Sequence, residues 1–576
     1  MNSPVLQPRP APPRLAFALE QQGVHPLLAR LLAARGVGSA EELDTSPARL
    51  LPPPTMKGAP EAGRLLADAI AAGRRICIVA DYDCDGATAC AVALRGLRLL
   101  GAASVSYVVP DRAVHGYGLT PAIVELARPL RPDLLVTVDN GIASLEGVAH
   151  AKGLGMAVLV TDHHLPRVDD GAVVLPAADV IVNPNQPGCG FASKAIAGVG
   201  VMFYVLLATR AEQRARGLYA AGAEPRLDAL LDLVALGTVA DVAALRGLNR
   251  AFVTQGLKVM RGRANIGLAA LADASRLARA PIARDLGFAL GPRVNAGGRV
   301  GQADLGVRLL TTHDAAEAAG IAAQLDALNH ERRAIEQAVT DAALSGACLS
   351  PGCTIVSGEG WHPGVIGIVA SRLKEKMGRP AIVIAIQDDG IAKGSGRSIT
   401  GVDLGAAVLA AKDHGLLMAG GGHAMAAGLT VAADGIAALD EFLNERLAAQ
   451  VAAATAEKSL SIDAAVAPRG LNAGLVDVLE AGGPYGQGWP SPRIAAGPFR
   501  VVDARVVGEN HLRLQLSGVD GGRIKAMAWR QGDSELGAAL QGAGARPLHI
   551  AGRVKRDDWT GGDAVELELD DAAFAG

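Results

Sequence analysis

Three aspartates lie on alternate residues directly after a short apolar run. Residues 76–86 read ICIVADYDCDG, which places Asp81, Asp83 and Asp85 in one turn after five apolar residues. Such a run is typical of a strand buried on both faces of a parallel sheet, and α/β sheets bind ligands at the carboxyl ends of their strands. Carboxylates in one turn repel one another unless cations neutralise them. The motif therefore predicts a cation site, and the alternative interpretation is a solvated acidic turn.

Carboxylate and imidazole side chains follow two further apolar runs. Asp139 follows one run, and Asp162, His163 and His164 follow the next. Because the carboxyl ends of parallel strands meet at one edge of a sheet, we expect these side chains to join the three aspartates there. Asp241, in a predicted helical segment, can reach the same edge.

This set of ligands suits divalent cations that bind oxygen and imidazole. It contains no sulfur, which favours Mn²⁺ or Mg²⁺ over structural zinc. It is too large for one ion, whereas two ions about 3.5–4 Å apart, bridged by one carboxylate, would use it and could activate water against a phosphoryl group. Taken singly, Asp139 can cap a helix, Asp241 can bond a neighbouring helix, and the Asp-His-His run can be polar surface. Only the combination favours a metal centre.

Alternating elements position these residues. We predict a doubly wound α/β layer with a mostly parallel sheet. The predicted strands are 76–80, 105–109, 134–138, 156–161 and 180–182, and the predicted helices between them are 87–101, 120–128 and 144–153.

The rest of the chain predicts a second α/β lobe, a long connecting helix and a small C-terminal β-barrel. We expect the Pro-rich residues 1–15 to be mobile. The predicted divisions are an N-terminal helical extension and linker at 1–58, the first lobe at 59–312, the connecting helix at 313–345, the second lobe at 346–457 and the barrel at 458–576.

Composition excludes several classes of protein. The net charge of −3 gives no overall basic field, so a nucleic-acid role needs a local groove. The six cysteines form no CxxC pair and indicate neither a disulfide framework nor a zinc site. We expect a reducing cytoplasm, and we see neither a signal peptide nor an apolar run long enough to span a membrane.

Glycine-rich segments carry basic and hydroxyl side chains that suit phosphate. Glycine lets the backbone approach a ligand, and arginine pairs bidentately with phosphate oxygens. The alternative is that each segment is an ordinary turn, but a phosphate-rich polymer between two lobes would explain all of them together. The residues are Arg112, His115, Tyr117, Arg293, Arg299, Ser395, Arg397, Ser398 and His423.

The barrel offers groups for an oligonucleotide groove that the net charge does not reveal. The alternative for its two tryptophans is a place in the core. The candidates are Lys525, Trp529, Arg530, Lys555, Arg556 and Trp559.

Several motifs together resemble the DHH phosphoesterase superfamily, and specifically its RecJ branch. The superfamily motifs are DYDCDG (81–86), VDNG (138–141), DHH (162–164) and ALGTVADVAAL (235–245). The segments that resemble the RecJ branch are HGYGL (115–119), GPRVNAGGR (291–299), WHPGVIGIVASRL (361–373), GSGRS (394–398) and GGHAMAAG (421–428). PYGQGWPSP (484–492) and the β-rich tail resemble the oligonucleotide-binding (OB) domain of that branch, so the resemblance covers the chain from about residue 20.

The resemblance implies a single-strand-specific DNA exonuclease that works 5′ to 3′ with Mn²⁺ or Mg²⁺ and releases 5′-mononucleotides. It implies metal ligands at Asp83, Asp85, Asp139, His163 and Asp241. Asp81 and His164 match an outer ligand or a phosphate contact, and we group Asp162 with them. The family's 5′-phosphate pocket maps to Arg112, Ser395 and Arg397, and Arg293 or Arg299 to the scissile phosphate.

The same resemblance implies partners and leaves rivals. The partners are single-stranded DNA, a single-strand-binding protein and a DNA helicase, and we expect a monomer. One rival is a DHH phosphoesterase for short oligonucleotides, cyclic dinucleotides or pyrophosphate, against which the barrel argues. The other is a non-catalytic single-strand-binding scaffold, against which the intact acids argue.

Overall fold

The computed structural model describes most of the chain, which forms two compact units. The described residues are 5–111, 115–116, 118–169, 171–220, 222–456, 459–508, 510–557 and 559–575. The first unit comprises residues 1–292, 306–319 and 459–576, and the second comprises residues 293–305 and 320–458. A 32-residue helix, Ala315–Gly346, runs from one into the other, as the connecting run predicts.

The first unit contains the predicted parallel sheet. Its five strands are all parallel and bury their apolar side chains between helices. In spatial order they are Val105–Val108, Ile76–Ala80, Leu134–Val138, Ala157–Thr161 and Val180–Val182. The predicted doubly wound layer is confirmed.

Helices surround this sheet and extend the first unit. They are Pro13–Gln21, Pro26–Ala33, Ala59–Ala71, Cys84–Leu99, Pro121–Ala127, Leu145–Gly153, Gly198–Ala215, Leu231–Ala240, Gly247–Arg261, Ile266–Ala274, Ala283–Asp285 and Leu305–Thr311. A π-helical turn, Leu286–Leu290, precedes the helix Gly291–Val300, most of which belongs to the second unit. A small hairpin joins Arg167–Asp169 to Ala172–Val174.

The second unit contains a mixed five-stranded sheet. In spatial order its strands are Ala419–His423, Ala426–Ala432, Ile391–Arg397, Ala381–Ile386 and Thr354–Glu359. Its helices are Ile366–Met377, Leu404–Asp413 and Ile436–Thr455. The glycine-rich segments of this sheet, for which ordinary turns were the alternative, form paired strands, in which Gly428 lies opposite both Ser395 and Gly421. The glycine-rich segment GPRVNAGGR instead forms the helix Gly291–Val300.

The C-terminal part of the first unit is a closed β-barrel. It closes because Ile494–Val507 pairs with both His511–Gly518 and Leu548–Arg556. The remaining strands of this sheet are Ala464–Val466, Arg523–Ala528 and Val565–Phe574, and the helices are Ala473–Glu480 and Glu535–Gln541. The fold is therefore two α/β lobes joined by a long helix, with an OB-type barrel.

The N-terminal residues differ from the prediction. Val5–Pro8 forms a parallel strand with Ser459–Ile462, and Arg9 lies 3.3 Å from Asp463. The expectation of a mobile segment is wrong for this stretch, because Pro-rich composition cannot reveal a partner strand so distant along the chain. Among the described residues, no helix has the length and apolarity needed to cross a membrane.

Candidate metal centre and phosphate site

The DYDCDG motif forms the junction between the strand Ile76–Ala80 and the helix Cys84–Leu99. Asp83 caps the helix, because its Oδ1 accepts a hydrogen bond from the backbone N–H of Gly86 at 3.0 Å. Asp81 is buried, and its Oδ1 accepts from the N–H of Tyr82 at 2.9 Å. A Cβ atom at Gly86 would lie 2.4 Å from the carbonyl oxygen of Asp81, so only glycine fits there.

Asp85 is fixed by the start of another helix. Its two carboxylate oxygens accept hydrogen bonds from the N–H groups of Gly198 at 2.7 Å and Val199 at 2.9 Å. Both amides belong to the first turn of Gly198–Ala215, where N–H groups lack partners within their own helix and the dipole favours negative charge. This support was missed from the sequence, because no charged or capping side chain marks the start of that helix.

Asp139 adopts a left-handed backbone conformation, with φ of +62°. Its neighbour Asn140 donates from Nδ2 to the carbonyl oxygens of Val79 at 3.2 Å and Val138 at 2.9 Å, which joins the ends of two strands. At Gly141, φ is +113° and a Cβ atom would lie 2.6 Å from the side chain of Thr137. Asn140 therefore shapes the turn that presents Asp139.

Asp162 organises the two histidines. Its Oδ1 accepts from the backbone N–H groups of His163 at 2.7 Å and His164 at 3.1 Å, and Nδ1 of His164 lies 2.7 Å away. Its Oδ2 accepts from the N–H of Ile142 at 2.9 Å. Two asparagines hold the same run from the other side, since Nδ2 of Asn185 donates to the His163 carbonyl at 2.6 Å and Nδ2 of Asn183 donates to that of His164 at 2.9 Å. The NPN motif that follows the last strand was visible in the sequence but carried no assignment.

His163 lies at the centre of the cluster. Its Nε2 is 3.1 Å from Oδ1 of Asp139 and 3.9 Å from Oδ2 of Asp85, and its Nδ1 is 3.9 Å from Oδ2 of Asp241. Asp241 is the C-terminal cap of the helix Leu231–Ala240. The predicted meeting of these residues at one sheet edge is observed.

Three overlapping groups have ligand atoms within 4.8 Å of one another. Asp139 belongs to two of them, and so does His163, whereas Asp162 belongs to none. The groups are Asp139, His163 and His164; Asp85, His163 and Asp241; and Asp81, Asp83 and Asp139.

The cluster holds more negative charge than the protein compensates. Burial, and then the charge of neighbouring aspartates, raise the pKa of Asp85 to about 7 and that of Asp241 to about 9. The same causes raise the pKa of Asp139 well above its usual value. Burial lowers the pKa of His163 to about 4, so its ring is neutral and available as a ligand. Burial also opposes the charged form of His164, but the hydrogen bond to Asp162 and the charges of Asp162, Asp241 and Asp81 together outweigh it and raise the pKa of His164 to about 9.

Ser395 and Arg397 lie beside the start of a helix in the second unit. A Cβ atom at Gly367, the second residue of Ile366–Met377, would lie 3.0 Å from both Oγ of Ser395 and Nη2 of Arg397. Burial, and then the charge of Arg299, lower the pKa of Arg397. Within the described residues, no carboxylate lies within 4 Å of either arginine. A helix N-terminus with uncompensated guanidinium groups is an anion-binding arrangement.

The remaining residues predicted to contact the substrate differ in the bonds that they already make within the protein. Nε of Arg293 donates to Asp326 at 2.8 Å, so its charge is compensated. Ser398 is buried, and its hydroxyl donates to the carbonyl oxygen of Val402 at 2.8 Å, so it is bonded within the protein. His423 is exposed at the end of its strand, and Nδ1 of His115 lies 3.1 Å from the carbonyl oxygen of Asp111. Arg112 and Tyr117 lie outside the described residues.

The aromatic candidates of the barrel are exposed, whereas most of its basic candidates are paired with acids. Trp559 is 93% exposed and Trp529 is 45% exposed, so neither belongs to the core. The predicted basic groove is largely compensated, because Lys525 and Lys555 both pair with Glu566, at 3.1 and 3.0 Å. Arg556 pairs with Asp477 and Asp563, and Arg530 turns through a left-handed conformation. Spacing along single strands cannot reveal such cross-strand partners.

Three family models match successive parts of the chain. The DHH family N-terminal domain matches residues 75–238, the DHHA1 domain matches residues 350–449, and the RecJ OB domain matches residues 462–571.

Curated relatives and solved structures agree with these matches. The "Single-stranded-DNA-specific exonuclease RecJ" of Escherichia coli (strain K12) is 40% identical over 95% of this chain and 95% of its own. The crystal structure of RecJ from Thermus thermophilus in complex with Mn²⁺ superposes with a TM-score of 0.79 and 31% identity, covering 99% of this chain and 79% of that one. The Mg²⁺ complex of that protein gives a TM-score of 0.75 and 30% identity, covering 99% and 78%. The chain therefore belongs to the RecJ family of DHH-domain proteins.

Proposed function

We propose that this protein is a single-stranded-DNA-specific exonuclease that degrades its substrate from 5′ to 3′ by hydrolysis with two divalent ions. The observation that carries the proposal is the cluster of aspartates and histidines at the sheet edge, with three overlapping groups of ligand atoms. The E. coli relative and the barrel support DNA as the substrate. The products are 5′-mononucleotides, in repair and recombination.

The residues fit Mn²⁺ or Mg²⁺. Their donors are carboxylate oxygens and imidazole nitrogens, which these ions accept. Nε2 of His163 is buried and makes no hydrogen bond to a described residue, although Oδ1 of Asp139 lies 3.1 Å away. A bound cation would satisfy Nε2 of His163 and would remove the repulsion that raises the pKa values of the aspartates. The proposed ligands are Asp83, Asp85, Asp139, His163 and Asp241, with Asp81 completing the set.

The chain positions the reacting groups in three ways. Two bound divalent ions would supply Lewis-acid activation of water and neutralise charge on the phosphate. Asp139, which belongs to two groups, is our choice for the ligand shared by both ions. Asp162 holds Nδ1 of His164 at 2.7 Å and so orients the ring to donate its other N–H to a phosphate oxygen. The amides of Gly198 and Val199 keep Asp85 in place.

The 5′-phosphate is proposed to bind at Ser395 and Arg397, with Arg299 adding charge. The support is the helix N-terminus beside them and the absence of a carboxylate partner within the described part of the chain. Arg112 remains a predicted member of the 5′-phosphate pocket, and His115, Tyr117 and His423 remain predicted contacts to the DNA. Arg293 and Ser398 bond to other residues of the protein, which favours a role in supporting the site over direct contact with DNA.

The barrel is proposed to bind the strand by stacking on Trp529 and Trp559, which are exposed. We further propose a monomer in the cytoplasm that acts with a single-strand-binding protein and a helicase. Free cysteines, of which Cys77, Cys84, Cys90 and Cys353 are buried, suit a reducing compartment.

The test is incubation with single-stranded DNA labelled at either end, with Mn²⁺ or with EDTA. We expect mononucleotides from the 5′-labelled strand at once, and progressively shortened fragments from the 3′-labelled strand. Duplex DNA and cyclic dinucleotides should resist. Cleavage of short oligonucleotides alone would favour the small-substrate rival, and binding without cleavage in Mn²⁺ would favour the scaffold.

A further inference from the structure

Phe288 is an exposed aromatic side chain that belongs to neither the metal centre nor the phosphate site. It lies in the π-helical turn Leu286–Leu290, and 74% of it is exposed. Exposure forgoes the free energy of burying an aromatic ring, and π-helical turns are frequent at functional sites. Both features direct attention to what surrounds the ring.

The π-helical turn packs against the helix that presents Asp241. A Cβ atom at Gly287 would lie 3.3 Å from Cγ1 of Val239, in the last turn of the helix Leu231–Ala240. Phe288 is thus carried by backbone that contacts the helix ending at a proposed metal ligand.

On its other side, the ring lies beside a connection to the barrel. The guanidinium carbon of Arg284 is 5.9 Å from the centroid of Phe288, and Nη1 of Arg284 is 2.5 Å from Oε1 of Glu568. Glu568 belongs to the barrel strand Val565–Phe574. Phe288 therefore lies in a turn that contacts the helix ending at Asp241 and beside an arginine that pairs with the barrel.

A second exposed apolar side chain adjoins the same ligand. Val242 directly follows Asp241, is 61% exposed, and has φ of +60°. A β-branched residue in the left-handed region is strained, and such strain is retained mainly where the surroundings or the function require that conformation. An exposed apolar side chain therefore directly follows a proposed metal ligand in the chain.

We propose that Phe288 is a positioning residue on which a base of the DNA strand stacks between the barrel and the metal centre, with Val242 as the next apolar contact. This inference rests on the proposed exonuclease function. Every base has a π-face, so stacking holds a strand without selecting its sequence. That is what an enzyme that degrades successive nucleotides needs.

The kinetic test combines Phe288→Ala with single abasic sites moved along the strand from its 5′ end. For intact DNA, the variant should lose about 5- to 100-fold in kcat/KM, chiefly through KM. One abasic position should cost the wild type a similar factor and cost the variant nothing further. Phe288→Trp should restore activity, and Phe17→Ala, which truncates an aromatic that is 62% exposed on an N-terminal helix, should behave as wild type.

An equilibrium test needs no activity. In EDTA, 2-aminopurine at the sensitive position should change its fluorescence on binding to the wild type but not to Phe288→Ala, while neighbouring positions respond equally in both. Equal kcat/KM values for the wild type and Phe288→Ala would overturn the stacking inference. So would losses from the substitution and from the abasic site that add at every position. Either result would leave the proposed exonuclease function unaffected. Loss of cleavage by the wild type in Mn²⁺ would instead overturn the proposed function.

Discussion

The aspartate–histidine cluster of the first unit and the Ser395–Arg397 site of the second unit carry opposite charges that their surroundings leave uncompensated. In the cluster, burial and neighbouring carboxylates raise the pKa values of Asp85, Asp139 and Asp241. At the other site, burial and the charge of Arg299 lower the pKa of Arg397. Each site therefore calls for a ligand of the opposite sign, cations in one and phosphate in the other.

The barrel shows why uncompensated charge is more informative than the number of charged residues. Lys525 and Lys555 were candidates for DNA contact, yet Glu566, together with Asp557 beside Lys525 and Glu568 beside Lys555, neutralises them. The net charge of −3 likewise concealed a local site for phosphate. Substitutions at the cluster, at the phosphate site and in the barrel test this contrast.

Removing the shared ligand should have the largest effect. Asp139→Ala should lower kcat by about a thousandfold or more, because both ions lose a ligand and with it several kcal/mol of transition-state stabilisation. Affinity for single-stranded DNA should change little. The measurements are single-turnover cleavage in Mn²⁺ and fluorescence anisotropy.

The control is Asp133→Ala at the opposite edge of the same sheet, where the carboxylate accepts from the N–H of Arg75 at 2.8 Å. It should cleave as the wild type does. Normal turnover by Asp139→Ala would eliminate the proposed ligand set.

Removing the positive charge at the second site should affect only substrates with a 5′-phosphate. Arg397→Ala should raise KM for 5′-phosphorylated DNA by about 10- to 100-fold, since a charged hydrogen bond contributes about 1.5–3 kcal/mol. DNA with a 5′-hydroxyl should be cut as by the wild type. Arg446→Ala, on the exposed side of Ile436–Thr455, is the matched control. An equal loss on both substrates would show that the arginine serves the fold.

Disturbing the residue that organises the histidines should have an intermediate effect. The two carboxylate oxygens of Asp162 accept hydrogen bonds from four N–H groups. In Asp162→Asn, an amide nitrogen, which cannot accept a hydrogen bond, replaces one of these oxygens. We expect kcat/KM to fall by about 10- to 100-fold and the Mn²⁺ concentration needed for half-maximal rate to rise. Asp179→Asn, at the other end of the sheet, should leave both unchanged. An unaltered Mn²⁺ requirement in Asp162→Asn would count against this role.

A compensated lysine should have the smallest effect. Lys555→Gln should change DNA affinity by less than about twofold and leave its salt dependence unaltered, because Glu566 and Glu568 already neutralise the amine at 3.0 Å. Trp559→Ala should weaken binding by about fivefold or more. Both follow from anisotropy titrations at several salt concentrations. A salt slope reduced by about one in Lys555→Gln would show a direct phosphate contact.

The first sheet and its ligands were predictable because the residue pattern of each short segment agrees with its place in the whole fold. Continuous apolar runs predicted the strands Ile76–Ala80 and Leu134–Val138 at their observed bounds. Acids at three strand ends predicted one cluster, since parallel strands share a carboxyl edge.

Features that depend on contacts between distant residues were not predictable. The strand Val5–Pro8 exists through pairing with Ser459–Ile462. GPRVNAGGR forms the helix Gly291–Val300 although glycine disfavours helices, because packing outweighs propensity. Likewise, no local signal marks the amides of Gly198 and Val199 that hold Asp85.

The number of Mn²⁺ ions bound per chain decides whether the aspartate–histidine cluster is a two-ion centre. Calorimetric titration of metal-free protein, checked by the electron paramagnetic resonance of free Mn²⁺, should give two ions for the wild type and fewer for Asp139→Ala. This is the result expected if the overlapping ligand groups that share Asp139 and His163 hold two ions. One ion in the wild type, or two in Asp139→Ala, would contradict a two-ion centre built on the shared aspartate.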